Sequence, residues 1–305
     1  MYYKILKIIM SSENQKIITC PILGGLGNQL FQIFTTIAYG METKRKIVFS
    51  NTDLLTVGTV RSTYWNNFLS GLKIFTDKNF DSTPQTLLTN KYQIFNESEF
   101  SYNSIPFFPL SRKLCIIGYY QSYKYFDHIK DKLFQMIRLR NQKMAIVTEF
   151  TDLLLNESNI ISMHFRLGDY KHIQDCHPLM NYEYYENAIG FIVNKKPQYN
   201  HKILYFCQIE DNEVVSEIIL KLYVKYPEVS FIKVDDNIPD WKQLLIMSCC
   251  HDNIIANSTF SWWGAYFNET PEKIVCYPDK WFGPKLNHDV RDLFIDNWIK
   301  ISCSE

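Results

Sequence analysis

Lys16-Ile-Ile-Thr-Cys-Pro-Ile-Leu-Gly24-Gly-Leu-Gly-Asn-Gln-Leu-Phe-Gln32 is the stretch on which the fold turns. An apolar run from Lys16 to Leu23 stops at Gly24-Gly25-Leu26-Gly27, and apolar residues return at Leu30, Phe31, Phe34, Ile37 and Ala38 with the spacing of one helix face. This predicts strand, glycine turn and helix. Ile47-Val-Phe49 supplies the next strand, so the chain opens as a doubly wound α/β domain. From about Asn51 to Leu110 the sequence mixes polar and aromatic residues around Pro84, Pro106 and Pro109, which predicts loops and short helices. Leu114 to Gly118 reads as a strand and Tyr123 to Leu139 as a helix.

A second alternation begins near residue 155. Short apolar strands are predicted at 160–164, 203–206, 229–234, 253–256 and 273–277, with helices around 214–223, around 241–249 and from Ser258. Strands alternating with helices imply parallel sheets, and two such halves imply two Rossmann-like domains facing across a cleft. The expected division is 1–155 and 156–305, with the C-terminal tail free to return to the first domain.

Lys+Arg 32 balance Asp+Glu 32, so no whole-molecule field favours nucleic acid or an anionic membrane, and any phosphate site must be local. Aromatic residues make up 15% of the chain, a content that suits sugar stacking but also follows from an Ile, Asn, Lys, Tyr and Phe bias without any selection on function. The eight cysteines form no C-x-x-C pair, and adjacent Cys249-Cys250 suits neither zinc nor an ordinary disulfide, so reduced thiols in a cytoplasmic, soluble protein are expected. Met1 to Met10 is apolar but short and broken by Lys4 and Lys7, neither a spanning helix nor a signal peptide. Sequons at Asn96, Asn156, Asn257 and Asn268 are expected by chance in so Asn-rich a chain.

Three segments bear chemistry. The glycine turn with Gly25, Gly27 and Asn28 either brings backbone close to a ligand or is a tight strand-to-helix turn capped by Asn28. His164-Phe-Arg-Leu-Gly-Asp-Tyr170 ends a buried strand, with His164, Arg166 and Gly168 on one face. Arg166 there meets either an anionic ligand or its neighbour Asp169, and the strand-end position favours the ligand. In Ile254-Ile-Ala-Asn-Ser-Thr-Phe-Ser-Trp-Trp-Gly264, the residues Asn257, Ser258, Thr259 and Ser261 place amide and hydroxyl groups around a helix N-terminus, an end that attracts diphosphate. No Asp-x-Asp triplet occurs, so no metal site is expected, and Asp235-Asp236 is the nearest approach to one. No G-x-S-x-G elbow occurs either.

Together these segments resemble glycosyltransferase family 11, the α-1,2-fucosyltransferases. Leu23 to Gln32 is similar to its N-terminal signature, Gly118-Tyr-Tyr-Gln-Ser-Tyr-Lys-Tyr-Phe126 to its middle motif, His164 to Tyr170 to its H-x-R-x-G-D-Y, and Met247 to Gly264 to its C-terminal motif. Lys280-Trp-Phe282 and Asn297-Trp-Ile-Lys-Ile301 match closing patterns. The resemblance implies a GT-B fold, GDP-fucose as donor and a glycan, galactoside-type, as acceptor. It also implies inversion at the fucose anomeric carbon, with no metal or other cofactor. Arg166 would bind the diphosphate and His164 support the nucleotide site. Ser258, Thr259 and Ser261 would receive phosphate or ribose, while Gly25, Gly27 and Asn28 line the cleft from the other side. Gln243 stands where the pattern leads one to expect an acidic residue, and the missing membrane anchor makes the chain more similar to bacterial or viral members than to animal ones.

For the acceptor proton, Asp169 is the first candidate base, with His164 and Asp175 behind it. Two other readings stand beside this one: a fucosyltransferase of another linkage, and a glycan-binding protein of the same fold without turnover.

Overall fold

The computed structural model describes residues 15–155 and 158–304. The Met1 to Met10 segment and the sequon at Asn156 lie outside the described residues. Two compact units emerge, one of Met1–Arg138 with Asp289–Phe294, the other of Leu139–His288 with Ile295–Glu305.

In the first unit, β1 (Ile17–Thr19) leads into α1 (Leu26–Glu42). β2 (Lys46–Ile47), β3 (Phe49–Ser50), β4 (Leu54–Leu55), β5 (Arg61–Ser62) and β6 (Thr76–Asp77) follow, all very short. α2 (Pro84–Thr89), β7 (Gln93–Asn96), β8 (Lys113–Ile117) and α3 (Lys130–Met136) complete the unit. A parallel sheet of order β2-β1-β8-β7 forms its centre. Helix α1 is buried along almost its whole length, which explains why it is apolar on more than one face.

The second unit begins with α4 (Leu139–Glu149) and α5 (Thr151–Leu154). β9 (Asn159–His164), α6 (Tyr182–Lys195), β10 (His201–Phe206), α7 (Asn212–Lys225) and β11 (Ser230–Lys233) build one side of a sheet. α8 (Asp240–Ser248), β12 (Asp252–Ile254), α9 (Thr259–Tyr266), β13 (Val275–Pro278) and β14 (Ile299–Ile301) build the other. All six strands pair in parallel in the order β11-β10-β9-β12-β13-β14. Every residue of β9 is buried, as a central parallel strand covered on both faces requires. The chain winds outward from β9 through β10 to β11, then crosses back to β12 and winds the other way, so strand order reverses between β9 and β12. In doubly wound folds a ligand crevice opens at such a reversal, beyond the carboxyl ends of the strands.

Several expectations need correction. The division falls after Arg138 rather than at 155, because α4 is fastened to the second unit. Lys143 Nζ donates to Phe267 O at 2.9 Å, and Lys242 Nζ lies 2.5 Å from Glu149 Oε1. The stretch that returns to the first unit is Asp289–Phe294, not the tail, whose β14 closes the second sheet. The helix expected over 123–139 is two 3-10 turns, Tyr123–Tyr125 and Asp127–Ile129, followed by α3 and stopped by Arg138 at φ 55°. The sequon residues Asn257 and Asn268 are buried, which removes both as glycosylation acceptors in the folded protein.

Candidate active site

The reversal between β9 and β12 gathers most of the residues singled out above. His164 is the last residue of β9, and Ser258 caps α9, its Oγ accepting from Phe260 N–H. His164 Nδ1 lies 2.9 Å from Ser261 Oγ, which ties the end of one strand to the first turn of the helix that follows the other. Burial, and then the neighbouring Arg166 charge, bring the His164 pKa down to about 3. The ring is therefore neutral at physiological pH.

Arg166 stands just beyond the strand. Its Nη1 donates to Gln208 Oε1 at 2.7 Å and its Nη2 to Asp169 Oδ1 at 2.5 Å, while the guanidinium lies 4.9 Å from the centre of the Tyr170 ring. A guanidinium has five N–H donors, so these two contacts leave it able to grip an anion as well. Tyr170 is stacked on His177 with ring centres 4.6 Å apart, and its hydroxyl donates to Asn257 O. The internal Arg166–Asp169 pair does exist, and Asp169 is exposed.

What holds this turn was not visible in the motif itself. Gly168 has φ +36°, and a Cβ there would sit 2.2 Å from Gln208 Oε1, so only glycine lets Gln208 approach. Gly168 N–H donates to Asp211 Oδ2 at 2.9 Å, and Lys171 Nζ lies 2.7 Å from Asp211 Oδ1. Asp211 is fully buried: its Oδ2 takes the backbone donor, and its Oδ1 has the Lys171 charge beside it without a hydrogen bond. It comes from the 3-10 turn Ile209–Asp211 after β10, and Gln208 directly precedes that turn. Both stand at the end of a predicted strand, and that position was the signal available for finding them.

At α9 the donors are less alike than the sequence suggested. Asn257 is buried and spends its amide on Pro178 O and Trp281 O, so it ties loops together. Ser258 and Ser261 are buried, and Thr259 is partly exposed in the first helical turn. Behind them Trp262 and Trp263 are fully buried, and each such side chain contributes about 1.5–3 kcal/mol by leaving water. Asp175 is exposed, and its backbone carbonyl accepts from Lys285 N–H. Gln243 donates its amide to Ile238 O.

Gly25, Gly27 and Asn28 belong to the first unit. There the cap of α1 is Gly25, with no side-chain cap bond, and Asn28 is the third helical residue, so it does not cap the helix as expected. Gly24, at φ +79°, closes so tightly on the Asn28 side chain that a Cβ would lie 2.8 Å from its Nδ2. The turn is fastened by two glutamines of the same motif: Gln32 Oε1 accepts from Leu23 N–H at 2.8 Å, and Gln29 Nε2 donates to Gly24 O and Ser62 O. Gln121 of the middle motif donates to Asn28 Oδ1. Glu97, after β7, holds that middle motif by accepting from Tyr119 and Tyr120 N–H. Burial raises the Glu97 pKa.

Over residues 3–302 the sequence matches the glycosyl transferase family 11 profile. The chain belongs to glycosyl transferase family 11. Among curated relatives of this family 11 transferase, the O-antigen biosynthesis glycosyltransferase WbnK of Escherichia coli is 27% identical over 201 residues, 61% of this chain. The match spans 60% of WbnK's own length. An alpha-1,2-colitosyltransferase of Escherichia coli is 26% identical over 290 residues, 87% of this chain and 92% of that one. Among solved structures, POFUT1 in complex with GDP superposes with a TM-score of 0.52 at 12% identity, covering 88% of this chain and 99% of that chain. A family 9 glycosyl transferase from Veillonella parvula gives 0.51 at 10% identity, covering 97% and 89%. At such identities the likeness is one of fold, and the fold is GT-B. By its family the chain is a glycosyltransferase, and among its described residues no helix is long and apolar enough to cross a membrane.

Proposed function

We propose that this family 11 transferase moves L-fucose from GDP-β-L-fucose to a hydroxyl of a galactoside-type glycan, inverting the anomeric centre to form an α-1,2 linkage. The observation that carries the reading is Arg166, held by Gln208, Asp169 and Tyr170 at the sheet reversal beside the α9 N-terminus. As GDP departs, negative charge grows on the β-phosphate, and a fixed guanidinium with a helix N-terminus stabilises it without a metal ion. His164 orients Ser261 toward that end. The remaining N–H donors of Arg166 take the diphosphate while Nη2 keeps Asp169 in place. Asp169, exposed and held beside that anion, is the first candidate to accept the acceptor proton late in the transfer.

A second reading, colitosyl transfer, draws on the likeness to the Escherichia coli alpha-1,2-colitosyltransferase, aligned over 92% of its length. A reducing, cytoplasmic setting agrees with eight free cysteines. The deciding experiment is transfer from labelled GDP-fucose to a glycan array in excess EDTA, with product linkage read by NMR. The expected product is an α-1,2-fucosylated galactoside at an undiminished rate. A β-linked product, another linkage, or a rate that vanishes in EDTA and returns with Mn²⁺ overturns the corresponding part of the proposal.

A further inference from the structure

We propose that the first unit carries a second carbohydrate-binding pocket, sized for one pyranose residue of a glycan and distinct from its glycine turn. A cavity of about 140 Å³ lies between the C-terminal half of α1, the loop from Tyr102 to Ile105, and the turns from Lys124 to His128. An engineered cavity of about 150 Å³ admits a benzene ring, so the space suits one six-membered ring. With a rise of about 1.5 Å per residue, Thr35 and Glu42 stand roughly 13 and 24 Å along α1 from its start at Leu26. The pocket therefore belongs to the far half of the helix from the glycine turn.

Its chemistry is that of a neutral, hydroxyl-rich ligand. Thr35 lines the cavity, and its buried Oγ1 has no hydrogen-bond partner. Thr36 on the same helix and Thr43 at its C-terminal cap instead donate to the carbonyls four residues back. Buried hydroxyls are almost always partnered, so the Thr35 hydroxyl is matched by a group arriving from outside. The charges on the wall are already met: Lys124 Nζ lies 2.5 Å from Asp292, and Glu42 Oε1 lies 2.7 Å from His128 Nε2. Such paired groups offer hydrogen bonds without selecting an ion.

Tyr102 and Tyr125 supply the flat apolar surface, their rings 4.8 Å apart and tilted by 59°. Tyrosine faces pack against the C–H face of a pyranose while polar groups at the edge bond its hydroxyls. The walls are preformed, which lowers the ordering cost of binding. Tyr102 N–H donates to Asp292 Oδ2 at 3.0 Å, Tyr125 Oη bonds both N–H and C=O of Asn103, and Tyr39 Oη donates to Pro106 O at 2.8 Å. The inference uses the family's commerce with glycans but not the donor or linkage proposed above.

The test is saturation-transfer NMR and titration with the methyl glycosides of galactose, fucose and N-acetylglucosamine. The variants are Thr35→Val, Thr35→Ser, Tyr102→Ala and Arg166→Ala. At least one glycoside should bind at millimolar concentration. Thr35→Val keeps the shape and loses the hydroxyl, so it should weaken binding fivefold or more, while Thr35→Ser restores it. Tyr102→Ala should abolish binding and Arg166→Ala leave it unchanged, even where Arg166→Ala stops transfer. Absence of binding for all three glycosides, equal affinity in Thr35→Val and Tyr102→Ala, or a loss confined to Arg166→Ala each overturns the pocket.

Discussion

His164 Nδ1 and Ser261 Oγ lie 2.9 Å apart across the strand reversal of the second sheet, joining two segments that are 97 residues apart in sequence. Burial keeps the ring of this pair neutral. Because the folded-state pKa is depressed, the stabilisation is complete above the ordinary histidine value of about 6.5 and is lost as pH falls toward 3. Stability should fall toward acid with a slope of up to about 1.4 kcal/mol per pH unit from this residue alone. His177, His201 and His251 are also shifted down by burial, so the comparison must be differential. His164→Asn, which keeps an amide near the Nδ1 position, should lose part of the acid slope in denaturant unfolding between pH 4 and 7. An unchanged slope would mean that the ring is protonated in the folded state.

Arg166→Lys should fold normally and lose roughly 10² to 10³ in kcat, equivalent to about 3 to 4 kcal/mol, with donor affinity hurt less. Lysine keeps the charge but cannot hold Gln208, Asp169 and a phosphate oxygen through one planar fork. Steady-state kinetics beside thermal unfolding decides the matter: near-wild-type kcat would leave Arg166 with only its turn-holding pair.

Asp211→Asn weakens the support of Gly168 and leaves Lys171 without its counter-charge. A hydrogen bond to a charged group is worth about 1.5–3 kcal/mol, and a loss of that order in unfolding free energy is expected. Since the same turn positions Arg166 and Gln208, KM for the donor should rise more than the loss of folded protein explains. A pure stability loss, with unaltered KM in the folded fraction, would confine Asp211 to the scaffold.

Glu97 titrates in the opposite sense to His164. Its folded-state pKa is raised by burial, so stability is greatest below the ordinary carboxyl range and is lost as pH climbs through the raised value. Glu97→Gln should flatten that alkaline-going decline while loosening the Tyr119–Tyr120 turn, whose Tyr120 sits at φ 52°. Urea midpoints for both proteins from pH 4 to 8 provide the measurement.

The strands of the second sheet were readable because β9 and β10 are short, apolar and bounded by charged or turn residues. Helix α6 was not anticipated, although its buried Tyr185, Ala188, Ile189 and Ile192 fall on one face and Asn181 starts it, its side chain accepting from Tyr184 N–H. The Arg166 motif announced itself by an arginine at a strand end. Gln208 and Asp211 did not, since they act only after β10 pairs with β9. The two carbonyls that take the Asn257 amide N–H groups, Pro178 O and Trp281 O, come from distant loops and could not be read from the motif. The short pairings β3 with β6 and β4 with β5 involve two residues per strand, too few for any period to register.

Asp292 accepts from Tyr102 N–H and Lys124, and its backbone carbonyl accepts from Ser122 Oγ, contacts separated by 190, 168 and 170 residues of chain. On the ribosome, therefore, the unit synthesised first cannot be finished first, because its last clasp arrives after nearly all of the second has been made. No single cut yields two complete halves: a fragment ending at Arg138 lacks the clasp, and one starting at Leu139 carries it without its partners. Exchanging one whole unit for that of another family member would mean splicing this protein at three junctions.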